Sequence, residues 1–182
     1  MLFGRGGTDL PSDVQRERKT CSGIPRWAQS LLKALQEKCE HALPKETCAV
    51  LFDPVKRARQ LILNLYEPGA GIASHIDLAH RFDDGIFCLS LGSGVVMSFA
   101  RSDLQPVQTA TGTRELSIWL PPRSLLVLTG KARWQYAHGI EARPGDWVSD
   151  QRAHSHGMAA AQVRLSITGR WLKQGADVVG GG

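Results

Sequence analysis

Three residues have the types and spacing to hold a metal ion. In the segment Asn64-Leu-Tyr66-Glu-Pro-Gly-Ala-Gly-Ile-Ala-Ser-His75-Ile-Asp77, a histidine and an aspartate stand two positions apart. Side chains alternate along an extended chain, so both point to one face and a single ion could accept both. A third ligand must come from elsewhere, and His138, in Tyr136-Ala-His138-Gly-Ile, sits at the end of a later strand-like stretch. Two imidazoles and one carboxylate form a facial triad that suits Fe(II) and leaves three coordination positions open. With six histidines in the chain, H-x-D plus a distant His is a weak signal alone. The competing reading has His75 capping a turn and Asp77 as a surface carboxylate.

The last strand-like stretch strengthens the metal reading. Arg164-Leu-Ser166-Ile-Thr168-Gly-Arg170 puts four polar residues at period two, with Leu165 and Ile167 facing the other way. Two arginines on a face that otherwise buries aliphatics need anionic partners. A dicarboxylate such as 2-oxoglutarate would supply them, one end held by the guanidinium fork and the other on the metal. The alternative is a solvated edge strand of alternating polarity. Trp134 and Tyr136 alternate with Arg133 and Gln135 on the approach to His138, so one pair faces the core and the other the site. Either ring could stack on a base or pack in the core. His80 is a candidate substrate or second-layer contact, or a surface histidine. His154-Ser-His156 has ligand-like spacing in a polar loop with no carboxylate motif beside it and reads as solvated, with a grip on nucleic acid open.

These residues need elements to position them. Trp27, Leu31, Leu35 and Cys39 recur at i+4, with Ala28 and Leu32 on the same face, which predicts a helix of about four turns ending near Pro44. His41 suits the negative end of its dipole. A polar connection is expected next. Short aliphatic runs then follow at Gln60 to Tyr66, Ile86 to Leu91, Val95 to Phe99, Glu115 to Leu120, Ser124 to Thr129 and Val163 to Leu172, separated by Gly, Pro or Asp clusters. Six or more short strands after one helix predict a mainly β chain with flanking helices: an antiparallel sandwich or jelly roll with helical cover on one face. A long hairpin loop is expected between Ala100 and Arg114. Trp27, Trp119, Trp147 and Trp171 are assigned to the core or its edge. The expected layout is a flexible arm over residues 1–22, one domain over 23–172 and a flexible tail over 173–182.

Composition narrows the class. At 182 residues, 42% apolar and 21% charged, the chain has room for one ordinary domain and no apolar run near the ~20 residues a bilayer span needs. No membrane partner is expected. Residues Met1 to Gly7 do not read as a secretory signal, and the four cysteines form no C-x-x-C pair, so free thiols and a cytoplasmic or nuclear location are expected. Lys plus Arg exceed Asp plus Glu by 22 to 17, a net charge of +5. This is compatible with a polyanionic partner without requiring one. Arg5, Arg16, Arg18 and Lys19 give the arm a basic character that could touch phosphates or simply be solvated.

The segment from Asn64 to Asp77, the run from Pro122 to Ile140 and the Arg164 to Arg170 strand together resemble the AlkB family of Fe(II)/2-oxoglutarate dioxygenases. The resemblance extends from about Gly23 to Trp171. Within the family, Glu67 to Ile72, His75 to Asp77 and Phe82 to Ser93 are most similar to the AlkB-type domain of eukaryotic tRNA wobble-uridine hydroxylases. The resemblance implies a double-stranded β-helix of cupin-like type with the N-terminal helix on one face. It implies iron on His75, Asp77 and His138, with 2-oxoglutarate and O2 as co-substrates. Tyr66 and Arg164 would hold the distal carboxylate, and Asn64 and Arg170 would lie near the metal-bound end. Ser166 stands where many members carry Asn. Arg133 matches a position that faces the nucleotide substrate, with Trp134 and His80 as further candidate contacts.

The implied activity is hydroxylation or oxidative demethylation of a modified nucleobase, first of all the wobble uridine of tRNA. Demethylation of N-alkylated bases in DNA or RNA, oxidation of a protein side chain, and a 2-oxoglutarate-binding module without turnover are the alternatives. Animal members of that branch also carry RNA-recognition and methyltransferase domains that 182 residues cannot contain, so a separate methyltransferase or RNA-binding partner is expected.

Overall fold

The structure is a computed structural model that describes residues 2–3, 24–52, 58–102, 115–150 and 155–176. The i+4 apolar stripe folds as helix α1, Arg26–Ala42, which buries Ala28 and Cys39 and packs Leu32 and Leu35 against the same cluster. His41 lies in its last turn. Trp27, expected in the core or at its edge, is 47% exposed because the buried stripe runs through Ala28 instead. The Leu43 amide closes the helix on the Cys39 carbonyl at 2.8 Å, and Pro44 prevents continuation. The expected polar connection is in fact a second helix, α2, Lys45–Phe52. Pro44 suits its entry, since the missing N–H is one a helix start leaves unbonded, and two turns are too short to show a period.

Among the described residues there are eleven strands: β1 Leu2–Phe3, β2 Arg59–Tyr66, β3 Ile72–His75, β4 Ile86–Gly92, β5 Val95–Arg101, β6 Glu115–Leu120, β7 Leu125–Leu128, β8 Tyr136–Ile140, β9 Gly145–Asp150, β10 Ser155–Ala160 and β11 Arg164–Trp171. A short helix, α3, Gly130–Gln135, lies between β7 and β8. They form a five-stranded sheet in the order β1-β2-β11-β4-β7, a four-stranded sheet in the order β3-β8-β5-β6, and a separate β9–β10 pair. From β2 to β8 the chain passes from one sheet to the other at every step except the β5–β6 hairpin. That is the expected jelly roll. All six expected strands form, within two residues at each end; β1, β3, β9 and β10 were not foreseen, because two or four residues, or runs broken by Gly, Asp and Ser, show no sustained aliphatic alternation.

Two apolar layers hold this together. Ile86, Leu128, Met97, Phe99, Leu120 and Ile140 cluster between the two sheets. Leu51 and Phe52 of α2 pack with Leu61 of β2 and Phe87 of β4 on the outer face of the five-stranded sheet, and each such buried side chain contributes ~1.5–3 kcal/mol. Arg59 fastens α2 to that face. It stacks on the Trp171 ring at 3.8 Å and donates to the Leu51 carbonyl, and burial pulls its guanidinium down to about 10.

Leu2 and Phe3, placed by the sequence in a flexible arm, pair instead with Ile62 and Leu61, because β2 would otherwise present an open edge. The remainder of the arm, the 103–114 loop, His154, the side chain of His156 and residues 177–182 lie outside the described residues. Trp171 is core, but Trp147, expected in the core or at its edge, is 76% exposed: it sits on the β9–β10 pair opposite Met158, itself 60% exposed. Among the described residues no helix is long and apolar enough to cross a membrane.

Candidate active site

β3 and β8 pair so that His75 and His138 are direct cross-strand partners, with ring centroids 4.8 Å apart. Asp77 lies just beyond β3 and is buried, and its carboxylate stands 3.7 Å from His138 Nε2. One donor atom from each of the three lies within 4.8 Å of the others. The His75 Nδ1 faces the Ala73 carbonyl at 2.8 Å, which leaves Nε2 as the free ligand atom. Burial holds His138 below the ordinary imidazole range, opposed by Asp77 and reinforced by His75, so the ring is neutral and its lone pair available. Asp77 in turn is paired with Arg170, which also donates to Gln60 Oε1 at 2.9 Å and stacks on Phe82 at 3.9 Å. Two imidazoles and a carboxylate, with His75 and Asp77 each held by a partner, fit a divalent first-row metal.

Behind the three ligands the sheets enclose a cavity of about 200 Å³. β11 is central, hydrogen-bonded to β2 on one side and β4 on the other, which rules out the solvated edge strand. Its polar face, Arg164, Ser166, Thr168 and Arg170, lines the cavity. The register sets Arg164 beside Tyr66 and Ser166 beside Asn64. Arg164 is 4% exposed, lies over the Tyr66 ring at 5.2 Å and donates to Ser90 Oγ at 2.9 Å. Among the described residues its Nε and the Nε of Arg170 are buried with no hydrogen-bond partner. Buried unsatisfied donors of that kind call for an acceptor that arrives with a ligand. A dicarboxylate fits: one end beside Arg164 and Tyr66, the other toward the three ligands.

The structure thus brings His75, Asp77, His138, Asn64, Tyr66, Arg164, Ser166 and Arg170 to one cavity. Cys88 lines the same cavity unforeseen, and Ser90 and Gln60 reach the site through the arginines they accept from, Arg164 and Arg170. The signal for Cys88 and Ser90 was their period-two spacing with Ile86 on β4, and Gln60 shares that parity with Asn64. The three candidate substrate contacts lie apart. His80 is exposed on the turn after Asp77 and does not line the cavity. Trp134 is held between the Arg133 guanidinium at 4.2 Å and Lys173 Nζ at 5.3 Å. Arg133, expected to face substrate, is 2% exposed and donates to three backbone carbonyls, because the single turn of α3 directs it inward. Tyr136 packs against the inter-sheet core.

The chain is also similar to known proteins. A family model described as the 2OG-Fe(II) oxygenase superfamily matches residues 6–170. The chain is 40% identical over 163 residues to the mouse tRNA (carboxymethyluridine(34)-5-O)-methyltransferase ALKBH8, covering 88% of this chain, and 41% identical over 115 residues to the Macaca fascicularis protein of that name, covering 63%. It spans only 21% and 16% of those relatives' own lengths. It is 29% identical over 133 residues to the Bos taurus RNA demethylase ALKBH5, covering 71% of this chain and 29% of that protein. With its three motifs, its two-sheet fold and these matches in agreement, the chain belongs to the 2OG-Fe(II) oxygenase superfamily and, within it, to the AlkB family.

Proposed function

We propose that this chain is a dioxygenase that binds Fe(II) through His75, Asp77 and His138, consumes 2-oxoglutarate and O2, and oxidises a modified nucleobase in RNA, with the wobble uridine of tRNA as the first candidate. The observation that carries this reading is the meeting of the three ligands with Arg164 and Arg170 around one cavity. When bound, the iron would supply O2 activation coupled to conversion of 2-oxoglutarate to succinate and CO2. The chain's own residues bind and orient. Arg164 and Tyr66 would anchor the distal carboxylate, Ser166 and Asn64 would line its path, and Arg170 holds Asp77 in its ligating position. Met97 and Ile140 from the facing sheet, with Leu126 and Leu128 of β7, supply the apolar part of the lining and limit water. The nucleic-acid substrate is supported by similarity to a tRNA methyltransferase and an RNA demethylase and by the net charge of +5. A separate RNA-binding or methyltransferase partner belongs to the same proposal.

The test is succinate formation by purified protein with Fe(II) and ascorbate, with and without total tRNA, followed by nucleoside mass spectrometry. Turnover stimulated by tRNA, with a uridine nucleoside that gains one oxygen, is the expected result. Likeness to an RNA demethylase favours a second reading, in which the hydrogen comes from an N-methyl group and the product is a base short of one methyl plus formaldehyde. Turnover with unchanged RNA would overturn both readings in favour of a protein substrate, and an absence of both iron binding and turnover would leave a non-catalytic binding module.

A further inference from the structure

Arg133 is among the largest fully buried side chains, yet it does not line the cavity. Its guanidinium is committed to backbone: Nη1 donates to the Asp77 carbonyl at 3.1 Å, Nη2 to Phe82 at 3.0 Å and Nε to Asp83 at 3.3 Å. Those carbonyls belong to the loop between β3 and β4, the loop that carries Asp77. A second tie runs the same way. The Asp84 carboxylate accepts the Gly130 N–H through both oxygens at 3.1 Å, so the first residue of α3 is bound to the same loop. α3 leads directly into β8 and His138. Trp134 covers the guanidinium from outside, with Lys173 over the same ring. A buried cation with three charge-assisted bonds to one loop is a fixed joint, since bonds to a charged group are stronger than neutral ones and breaking them strands a buried charge.

We infer that Arg133 is a positioning residue for the metal centre: it locks the loop bearing Asp77 to the α3–β8 segment bearing His138, and so sets the separation of those two ligands. This rests on the proposed assignment of His75, Asp77 and His138 as metal ligands. Lysine would retain the charge, but one ammonium does not reproduce the planar fork that spans three carbonyls.

The experiment is Mn(II) binding to the full chain, titrated by electron paramagnetic resonance, for the wild type, Arg133→Lys and Asp84→Ala. Arg133→Lys is expected to raise the Mn(II) Kd by ~10–100-fold, the usual cost of losing a residue that orients a ligand, while 2-oxoglutarate affinity at saturating Mn(II) and cooperative unfolding are retained. Asp84→Ala is expected to shift the Kd in the same direction by a smaller factor. A folded Arg133→Lys protein with wild-type Mn(II) affinity overturns the inference. If Arg133→Lys does not fold, Asp84→Ala decides alone, and wild-type affinity there overturns it equally. A wild-type chain that binds no Mn(II) overturns the ligand assignment itself, an outcome distinct from losses confined to the variants.

Discussion

Asp77 has two duties that separate experimentally. It is a proposed metal ligand, and it is the buried counter-charge of Arg170. Asp77→Ala should therefore abolish turnover and also cost ~3–5 kcal/mol of stability, because a buried guanidinium is left unpaired. His75→Ala, which strands no charge, should abolish turnover with little change in a urea unfolding curve. Equal stability loss in both variants would sink this division of roles. At the other end of the cavity, Arg164→Met should raise the KM for 2-oxoglutarate on the order of a hundredfold, the cost of deleting one partner of a charge pair, with iron affinity retained. His138 carries a pH dependence. Its folded pKa is lowered, so below the ordinary value near 6.5 the unfolded chain binds more protons than the folded one, and stability falls as pH drops through that value. A His138→Gln protein without metal should show a flatter stability profile between about pH 7 and 5. The H-x-D pair and the period-two arginines could be read from sequence because each is a local spacing. The inward turn of Arg133 could not, since it depends on one helical turn whose partners are carbonyls far along the chain.

Among the elements, β11 and β8 do most to build the site. β11 sits between β2 and β4, so its register alone aligns Arg164 with Tyr66 and Ser166 with Asn64. β8 faces β3 across an irregular pairing, matched at Ile72 with Ile140 and at His75 with His138, with a register shift between. Gly139 lies at that shift. A Cβ there would stand 2.8 Å from Ser74 Cα and 2.9 Å from Ser74 N. These are backbone atoms, so β3 itself must move. Gly139→Ala should cost ~1–3 kcal/mol and weaken Mn(II) binding by separating His75 from His138. Gly157→Ala on β10, where an added Cβ meets nothing within 4 Å, is the matched control and should leave both unchanged. Wild-type metal affinity in Gly139→Ala would mean that the β3–β8 spacing does not set the ligand geometry. Strand existence was readable wherever aliphatic alternation ran for six residues or more. The four residues of β3 carry too little pattern, and the partner of a strand is written nowhere in its own sequence.

For the molecule as a whole, the sandwich with helical cover followed from strand number and from one amphipathic helix, whereas the central place of β11 and the second helix did not. The net charge of +5 is the one whole-chain property that bears directly on substrate. If RNA is drawn to the chain through its backbone, binding releases counterions, and the logarithm of the association constant should fall linearly with the logarithm of salt concentration. The chemistry inside the cavity should respond differently. Arg164, the cation that would hold the distal carboxylate, is buried, and screening acts mainly between exposed charges, so succinate release without RNA should vary little between low and physiological salt. Stimulation by tRNA should fade over the same range. Fluorescence anisotropy with labelled tRNA, run beside the succinate assay at each salt concentration, measures both. A tRNA affinity that ignores salt would show that phosphates are not the handle, and would move the search for the recognition surface to apolar groups such as exposed Trp147 and Met158, paired across β9 and β10.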